Sequence, residues 1–333
     1  SLESHLEIGG HKLHISASIG ITLFPDHGHN TKILVQRADV AMYMAKRSHT
    51  PFMFYDREQD THNIGWLTMP AELEVAIKKD QLELYYQPKV ETVSGQLKGV
   101  EALLRWQHPR HGWVNPEDII ELAESSALIA ELTSWVIDKA LGDCMRWRER
   151  GLLLNMAVNL SPQNLHDPGF VDQVSKTLSR HAMDGDALTL EITENAFISD
   201  PAQAVTTIHQ LKSMGIRIAI DDYGTGFSSL SYLRQLAVNE LKIDKVFVMN
   251  LHQNNDDVTI VRSTIHMAQS LGLQVVAEGV ETVMSLQLLR ELECDFLQGY
   301  LISEPLSDTQ FLAWLDDWEG YQSMDADRGK NAG

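Results

Sequence analysis

Two adjacent carboxylates, Asp221 and Asp222, follow directly on the apolar run IRIAI and precede a glycine-rich turn. The run has the apolar, β-branched character of a buried strand. Buried carboxylates are costly unless they are paired or bind a metal ion. Carboxylate oxygens are the ligands that Mg²⁺ and Mn²⁺ prefer. The stretch therefore predicts metal-assisted chemistry at the end of a strand.

Seven further apolar runs along the chain end in a polar or charged residue. Their terminal residues are Gln87, Glu101, Asn159, Glu191, Lys242, Glu278 and Gln298. A single acid in such a place is usually a loop residue or a helix N-cap. The repetition of the pattern across the chain is what favours a shared functional site.

The spacing of these runs predicts the fold. Gln87 and Glu101 are separated by room for a turn only, so the first two strands should form an antiparallel hairpin. The later intervals mostly leave room for a strand and a returning helix, which is typical of parallel strands with crossover helices. We expect an α/β fold: a modified (β/α)8 TIM barrel with one antiparallel strand, preceded by a partial α+β segment.

In such a barrel the strand ends meet on one face, so the terminal residues should ring one pocket. Several carboxylates without counter-charge would be strongly unfavourable there, and Lys242 offsets only one of them. An oxygen-donor set for Mg²⁺ or Mn²⁺ follows: Glu101, Asn159, Glu191, Asp221 and Asp222. We expect two ions per site, with Asp221 as the bridge, an arrangement suited to in-line attack of water on phosphorus.

Composition excludes several classes of protein. The formal net charge of −19 argues against a duplex nucleic-acid binder. No apolar run is long enough to span a membrane. Cys144 and Cys294 are the only cysteines, which favours a cytoplasmic, reducing location. Because the chain starts at Ser1, we expect a fragment whose parent could be membrane-anchored upstream.

Four segments are expected along the chain. Residues 1–62 predict strand, helix and strand, too little for a good independent core. Residues 63–80 form a linker and a first helix, the barrel covers 68–318, and a polar tail occupies 319–333.

The stretch EALLRW at 101–106 resembles the signature of the EAL domain of bacterial cyclic di-GMP phosphodiesterases. YYQPK, VNLSP, LEITE, DDYGTGFSSL, LKIDK, AEGVET and QGYLISEPL recur in the family's order over roughly residues 68–316. The resemblance implies hydrolysis of one phosphodiester of cyclic di-GMP to linear pGpG with Mg²⁺ or Mn²⁺. It implies the same five metal ligands.

The resemblance also assigns roles to individual residues. Glu101, Lys242 and Glu278 are implied to be catalytic, and either Lys242 or Glu278 could be the base. The implied substrate-binding residues are Gln87, Arg105, Asp244, Glu281, Gln298 and Tyr300, with Tyr300 stacking on a guanine. Glu194 resembles the glutamate that holds the loop Tyr223–Ser229, which in this family couples homodimerisation through the barrel to metal binding. Tyr223 departs from the commoner Phe.

The first segment resembles the last third of a GGDEF diguanylate cyclase domain, on SASIGITLFP, RADVAMYMAKR and FMFYD. The GG[DE]EF motif is absent from this chain, so the segment is not expected to synthesise cyclic di-GMP. The parent's cyclase activity, its input signal, the dimer's strength and the physiological metal stay open.

Two other functions compete with this hypothesis. A catalytically inactive EAL domain would bind cyclic di-GMP as a sensor, but such a module is expected to lack metal ligands. An enolase-like proton abstractor also rings a barrel with acids and a lysine, but it would not need Arg105 and Gln87 as substrate contacts.

Overall fold

The computed structural model describes residues 6–8, 11–13, 18–47, 50–56, 68–194, 200–224, 236 and 238–321. The chain divides into two compact units, residues 1–73 and 74–333.

The first unit contains the predicted strand–helix–strand order. Strands β1 (Leu6–Ile8) and β2 (His11–Leu13) are antiparallel. Strands β3 (Ile19–Ile21) and β4 (Phe52–Phe54) are parallel and are connected by helix α1 (Thr31–Arg47). A Cβ on Gly20 would lie 1.8 Å from the Ala38 carbonyl oxygen, so the approach of β3 to α1 requires glycine.

The second unit is a closed barrel of eight strands, which confirms the predicted fold. Their order is β5–β13–β12–β11–β10–β9–β8–β6, closed by pairing of β5 with β6. β5 is antiparallel to both neighbours and the remaining pairs are parallel, as the short first interval predicts. The strands are β5 (Glu83–Glu91), β6 (Leu97–His108), β8 (Asn155–Asn159), β9 (Leu188–Thr193), β10 (Arg217–Tyr223), β11 (Glu240–Ile243), β12 (Gln274–Ala277) and β13 (Phe296–Leu297).

Helices and two short strands surround the barrel. β7 (Gly112–Val114) pairs with β6, and β14 (Leu306–Ser307) pairs with β5. The helices are α2 (Met69–Lys78), α3 (Pro116–Ser125), α4 (Ile129–Glu149), α5 (Pro162–Leu165), α6 (Phe170–Arg180), α7 (Pro201–Ser213), α8 (Lys245–Val248), α9 (Asn255–Ser270), α10 (Val283–Glu291) and α11 (Asp308–Asp317).

Local sequence explains where several helices begin. α3, α5 and α7 each start with proline, which lacks the N–H that a first helical turn leaves unused. The residue before each proline caps the helix: Asn115, Ser161 and Asp200 accept a backbone N–H from the first turn.

Two residues expected at strand ends lie instead in the middle of their strands. Gln87 is central in β5 and pairs directly with Glu101, itself central in β6. Because β5 is antiparallel, its carboxyl end points to the opposite end of the barrel. A side chain of β5 can therefore face the converging strand ends only from the middle or the amino-terminal half of the strand, so the sequence-based placement of Gln87 at a carboxyl terminus was wrong.

The first residues of the predicted polar tail are anchored to the barrel. The Trp318 indole, just before that tail, donates to the Gly95 carbonyl at 3.0 Å. The Tyr321 hydroxyl donates to the Glu91 carbonyl at 3.2 Å. Both contacts lie on the hairpin between β5 and β6. The rest of the tail, 322–333, lies outside the described residues.

A buried ion pair joins β5 to β11 inside the barrel. The Lys89 ammonium lies 2.6 Å from a Glu240 carboxylate oxygen, and both side chains are buried. Each residue lies two positions along its strand from a predicted site residue, Gln87 or Lys242, and so faces the same interior. This pair forms a charged layer adjacent to the predicted site.

Replacing Lys89 with Met should lower the free energy of unfolding by about 3–5 kcal/mol, because Glu240 would stay buried without its partner. The double variant Lys89→Met/Glu240→Leu should recover most of that loss, since it removes both charges. Urea denaturation of both variants checks this expectation. A single variant as stable as the unaltered protein would contradict it.

Candidate active site

The ammonium group of Lys242 is the centre of a cluster of carboxylates contributed by different strands. Its side chain is 1% exposed, and its Nζ lies 2.6 Å from Glu191, 2.7 Å from Glu278, 3.2 Å from Asp221 and 3.3 Å from Glu101. Strand register produces this convergence, because each carboxylate lies on or directly after its strand and faces the barrel axis. One cation therefore contacts four acids.

Amide side chains complete the environment of Glu101. Asn159 donates to one carboxylate oxygen at 2.6 Å, and Gln298 donates to the other at 2.6 Å. Gln298 also donates to Gln87 at 3.1 Å, and Gln87 donates to the Ser303 carbonyl at 3.2 Å. This chain of hydrogen bonds fixes the orientation of the Glu101 carboxylate.

The surroundings of Glu101 and Lys242 favour the charged form of each group, as the directions of their pKa shifts indicate. Burial alone would raise the pKa of Glu101, but the attraction of Lys242 and the hydrogen bonds from Gln298 and Asn159 outweigh it and lower that pKa. Burial opposes the charge of Lys242 too, yet the surrounding carboxylates raise its pKa well above the ordinary value. Both groups are therefore charged at neutral pH.

The other acids show the repulsion that one ammonium group leaves unbalanced. Burial and the nearby Glu101 charge raise the pKa of Glu191 well above its ordinary value. Burial raises the pKa of Glu278 to about 8, with Asp221 and Glu101 adding to the shift. Added positive charge at this position would relieve the repulsion.

A backbone irregularity brings Asp221 and Asp222 to one side of β10. Neighbouring residues of a regular strand point to opposite faces. The pairing of β10 with β11 shifts register between Ile220 and Tyr223, and Asp222 has a φ of 54°. Such bulges occur next to active sites, where they redirect a side chain. The two consecutive carboxylates can therefore act at one site.

The donor set fits a divalent cation. Asp221, Asp222 and Glu278 each place a carboxylate oxygen within 4.8 Å of the others. Burial raises the pKa of Asp222 to about 6, and its neighbours Asp221 and Asp244 reinforce the shift. Oxygen-only donors with excess negative charge suit Mg²⁺ or Mn²⁺. The chain's acidic groups could bind a metal ion here.

Asp244 and Glu194 support the backbone around this cluster. Asp244 caps α8 by accepting the Val246 N–H at 2.7 Å, and it also hydrogen-bonds Asp222. Glu194 accepts the Gly224 N–H at 2.9 Å, at the start of the predicted loop. The remainder of that loop, 225–229, lies outside the described residues.

Three predicted substrate-binding residues are partly or largely open to solvent. Arg105 is partly buried, and its guanidinium carbon lies 5.5 Å from the centre of the Tyr85 ring. Tyr300 is 59% exposed. Glu281 is exposed and immediately precedes Thr282, the N-cap of α10. Solvent can therefore reach all three side chains, and it reaches Arg105 in part.

Two features in and next to the site were not predicted from the sequence. The first is the ion pair of Lys89 and Glu240. Side chains two positions apart on a strand face the same side, and both β5 and β11 carry polar residues at this spacing, so the pair could have been predicted. The bulge at Asp221 was the other, and only two consecutive acids after an apolar run hint at it.

Gln298→Leu should weaken divalent-cation binding about 10–100-fold, because Glu101 would lose a hydrogen bond that orients it. Titration calorimetry with Mn²⁺ measures the effect. Gln287→Leu, an exposed position on α10, is the matched control and should bind as the unaltered chain does. Unchanged Mn²⁺ affinity in Gln298→Leu would show that Glu101 needs no such support.

Comparison with known proteins identifies the family to which the chain belongs. Residues 71–305 match the profile of the EAL domain, and residues 1–51 match that of the diguanylate cyclase, GGDEF domain. The chain belongs to the EAL domain family.

Two curated proteins are similar to this chain over most of its length. The chain is 40% identical over 309 residues to the bifunctional diguanylate cyclase/cyclic di-GMP phosphodiesterase MucR of Pseudomonas aeruginosa, covering 92% of this chain and 45% of that protein. It is 34% identical over 308 residues to the cyclic di-GMP phosphodiesterase PdeR of Escherichia coli, covering 92% and 46%. The chain thus spans less than half the length of these two relatives.

A solved structure also resembles this chain. The PaMucR phosphodiesterase in complex with c-di-GMP is 41% identical, with a TM-score of 0.69, and the match covers 72% of this chain and 98% of that one. Within the described residues, no helix is both long and apolar enough to cross a bilayer.

Proposed function

We propose that this chain hydrolyses one phosphodiester bond of cyclic di-GMP, giving linear pGpG, with two Mg²⁺ or Mn²⁺ ions at the Lys242 cluster. The observation that carries the proposal is the contact of one buried ammonium with Glu101, Glu191, Asp221 and Glu278. Relatives named as cyclic di-GMP phosphodiesterases support the choice of substrate.

The metal ligands in this proposal are Glu101, Asn159, Glu191, Asp221 and Asp222. Bound there, the ions would supply positive charge against the phosphodiester and make a water molecule more acidic. The charged ammonium of Lys242 would orient the attacking water and hold the carboxylates together, so Glu278 is the group left to accept a proton from that water. Asp221, in contact with Lys242 and beside Asp222, would be shared by the two ions.

Substrate binding involves groups on both sides of the cluster. Arg105 supplies a fixed positive charge for a phosphate oxygen, because a guanidinium stays protonated even where burial lowers its pKa. Gln87, Gln298 and Asp244 contribute polar contacts inside the barrel. Glu281 and the exposed ring of Tyr300 contact the nucleotide from outside, with Tyr300 stacking on a guanine.

Product analysis tests the proposal. Cyclic di-GMP incubated with the chain and Mg²⁺ or Mn²⁺ should yield pGpG, and EDTA should stop its formation. Binding of cyclic di-GMP without pGpG would instead establish the sensor alternative. That alternative is less favoured because every predicted ligand position holds a suitable side chain. Turnover of unrelated carbon acids without phosphodiesterase activity would support the enolase-like alternative.

The assembly and location of the chain belong to the same proposal. A homodimer through the barrel would cover some of the apolar surface that is exposed at Val246 of α8, at Met249 just after it and at Met284 of α10. Light scattering measures the dimer.

The buried thiols of Cys144 and Cys294 fit a cytoplasmic location. The proposed domain limits remain 1–62 for the GGDEF remnant, 68–318 for the barrel and 319–333 for the tail.

A further inference from the structure

The face of β6 that carries Glu101 extends past the carboxylate cluster, towards the carboxyl end of the strand and the mouth of the barrel. Side chains two residues apart on a strand share a face, so Leu103, Arg105 and Gln107 follow Glu101 on the same side. Each such step advances about 7 Å along the strand. Arg105 therefore extends the candidate active site towards the mouth of the barrel, within the dimensions of a dinucleotide.

Aromatic residues on the two neighbouring strands extend this face. Tyr85 of β5 lies directly opposite Leu103, and Trp113 of β7 lies directly opposite Gln107. Directly opposite residues of an antiparallel pair project to the same side. Both aromatic rings therefore project from the surface that leads to Glu101.

Contacts between these side chains hold them in place without covering them. The ring centres of Tyr85 and Trp113 are 6.1 Å apart, with the planes at 78°. The Arg105 guanidinium carbon lies 5.5 Å from the centre of the Tyr85 ring. Trp113 is nevertheless 54% exposed. An indole positioned by a tyrosine, and left open to solvent, is prepared to stack on a flat ligand.

We propose that Trp113, positioned by Tyr85, is a stacking platform for one guanine of cyclic di-GMP and so determines substrate affinity. This inference rests on the proposed function and adds a residue to it. A single exposed aromatic residue is normal on a protein surface. Trp113 differs because it shares a face with Glu101 and contacts the same Tyr85 ring as the Arg105 guanidinium, which can hold a phosphate that joins the two nucleosides.

Steady-state kinetics with Trp113→Ala test the platform. Base–aromatic stacking contributes enough that its loss should raise KM for cyclic di-GMP about tenfold or more. The value of kcat should change little, because stacking is equal in the ground and transition states. Trp113→Phe should restore most of the affinity, since a phenyl ring also stacks. The thermal midpoint should hardly move for either variant, because the side chain is largely exposed.

Leu153→Ala is the matched control, because Leu153 is 75% exposed and precedes β8 at the opposite end of that strand from Asn159. Its KM should equal that of the unaltered chain. An unchanged KM in Trp113→Ala would overturn the platform, and so would an equal defect in Trp113→Phe. Failure of the unaltered chain to make pGpG would instead refute the proposed function, so the two failures are distinguishable.

Discussion

Asp221→Asn is expected to reduce the hydrolysis of cyclic di-GMP by about 10³-fold or more, equivalent to at least about 4 kcal/mol of transition-state stabilisation. Asp221 contacts Lys242 at 3.2 Å and lies within 4.8 Å of the carboxylates of Asp222 and Glu278. The amide keeps the shape of the side chain but removes its negative charge. It should therefore weaken metal binding while the barrel stays folded.

Two measurements separate this result from simple unfolding. Without metal, the circular dichroism spectrum of Asp221→Asn should match that of the unaltered chain. Its thermal midpoint should be equal or higher, because the change relieves repulsion among the acids. The stabilisation that Mn²⁺ gives the unaltered chain should be lost. Activity close to that of the unaltered chain would be decisive evidence against a role for Asp221 in metal binding.

Lys242→Met is expected to abolish hydrolysis and to lower the free energy of unfolding by about 3–5 kcal/mol in the absence of metal. Its ammonium is buried and contacts four carboxylates, and methionine would leave these acids buried without a cation. Urea denaturation with EDTA measures the loss. Added Mn²⁺ should recover part of the stability, because ions bound by the same acids replace some of the missing positive charge.

Lys98→Met is the control for that substitution, because Lys98 is exposed and its ion pair with Glu91 spans 3.8 Å. Exposed pairs of this kind contribute about 0–1 kcal/mol, so the control should be nearly as stable as the unaltered chain. If Lys242→Met were equally stable in EDTA, the ammonium would not be needed to neutralise the cluster.

The barrel was predictable because its strands follow a strong, repeated pattern. The short interval between Gln87 and Glu101 identified the hairpin, and the longer intervals identified parallel strands with crossover helices. The exact position of Gln87 was not predictable from that pattern, because strand ends are set by pairing with neighbours. β5 extends to Glu91 because Phe296 of β13 pairs with it there, beyond the last pair with β6 at Val90.

The convergence of acids that lie far apart in the sequence follows from the barrel topology. Since the repeated strand pattern predicts that topology, it also predicts that these acids lie close together. The bulge that redirects Asp222 was not foreseeable, since it depends on how β10 pairs with β11. The proposed role of Trp113 could not be predicted from the sequence either. It lies in a short hairpin beyond EALLRW, and only strand register relates its side chain to Glu101.

A crystal structure grown with saturating Mn²⁺ and measured at the manganese absorption edge tests the central claim most directly. Two anomalous peaks about 3.5–4 Å apart, with Asp221 between them, are the predicted result. A map that shows no ion bound by Glu101, Asn159, Glu191, Asp221 and Asp222 under those conditions would contradict it.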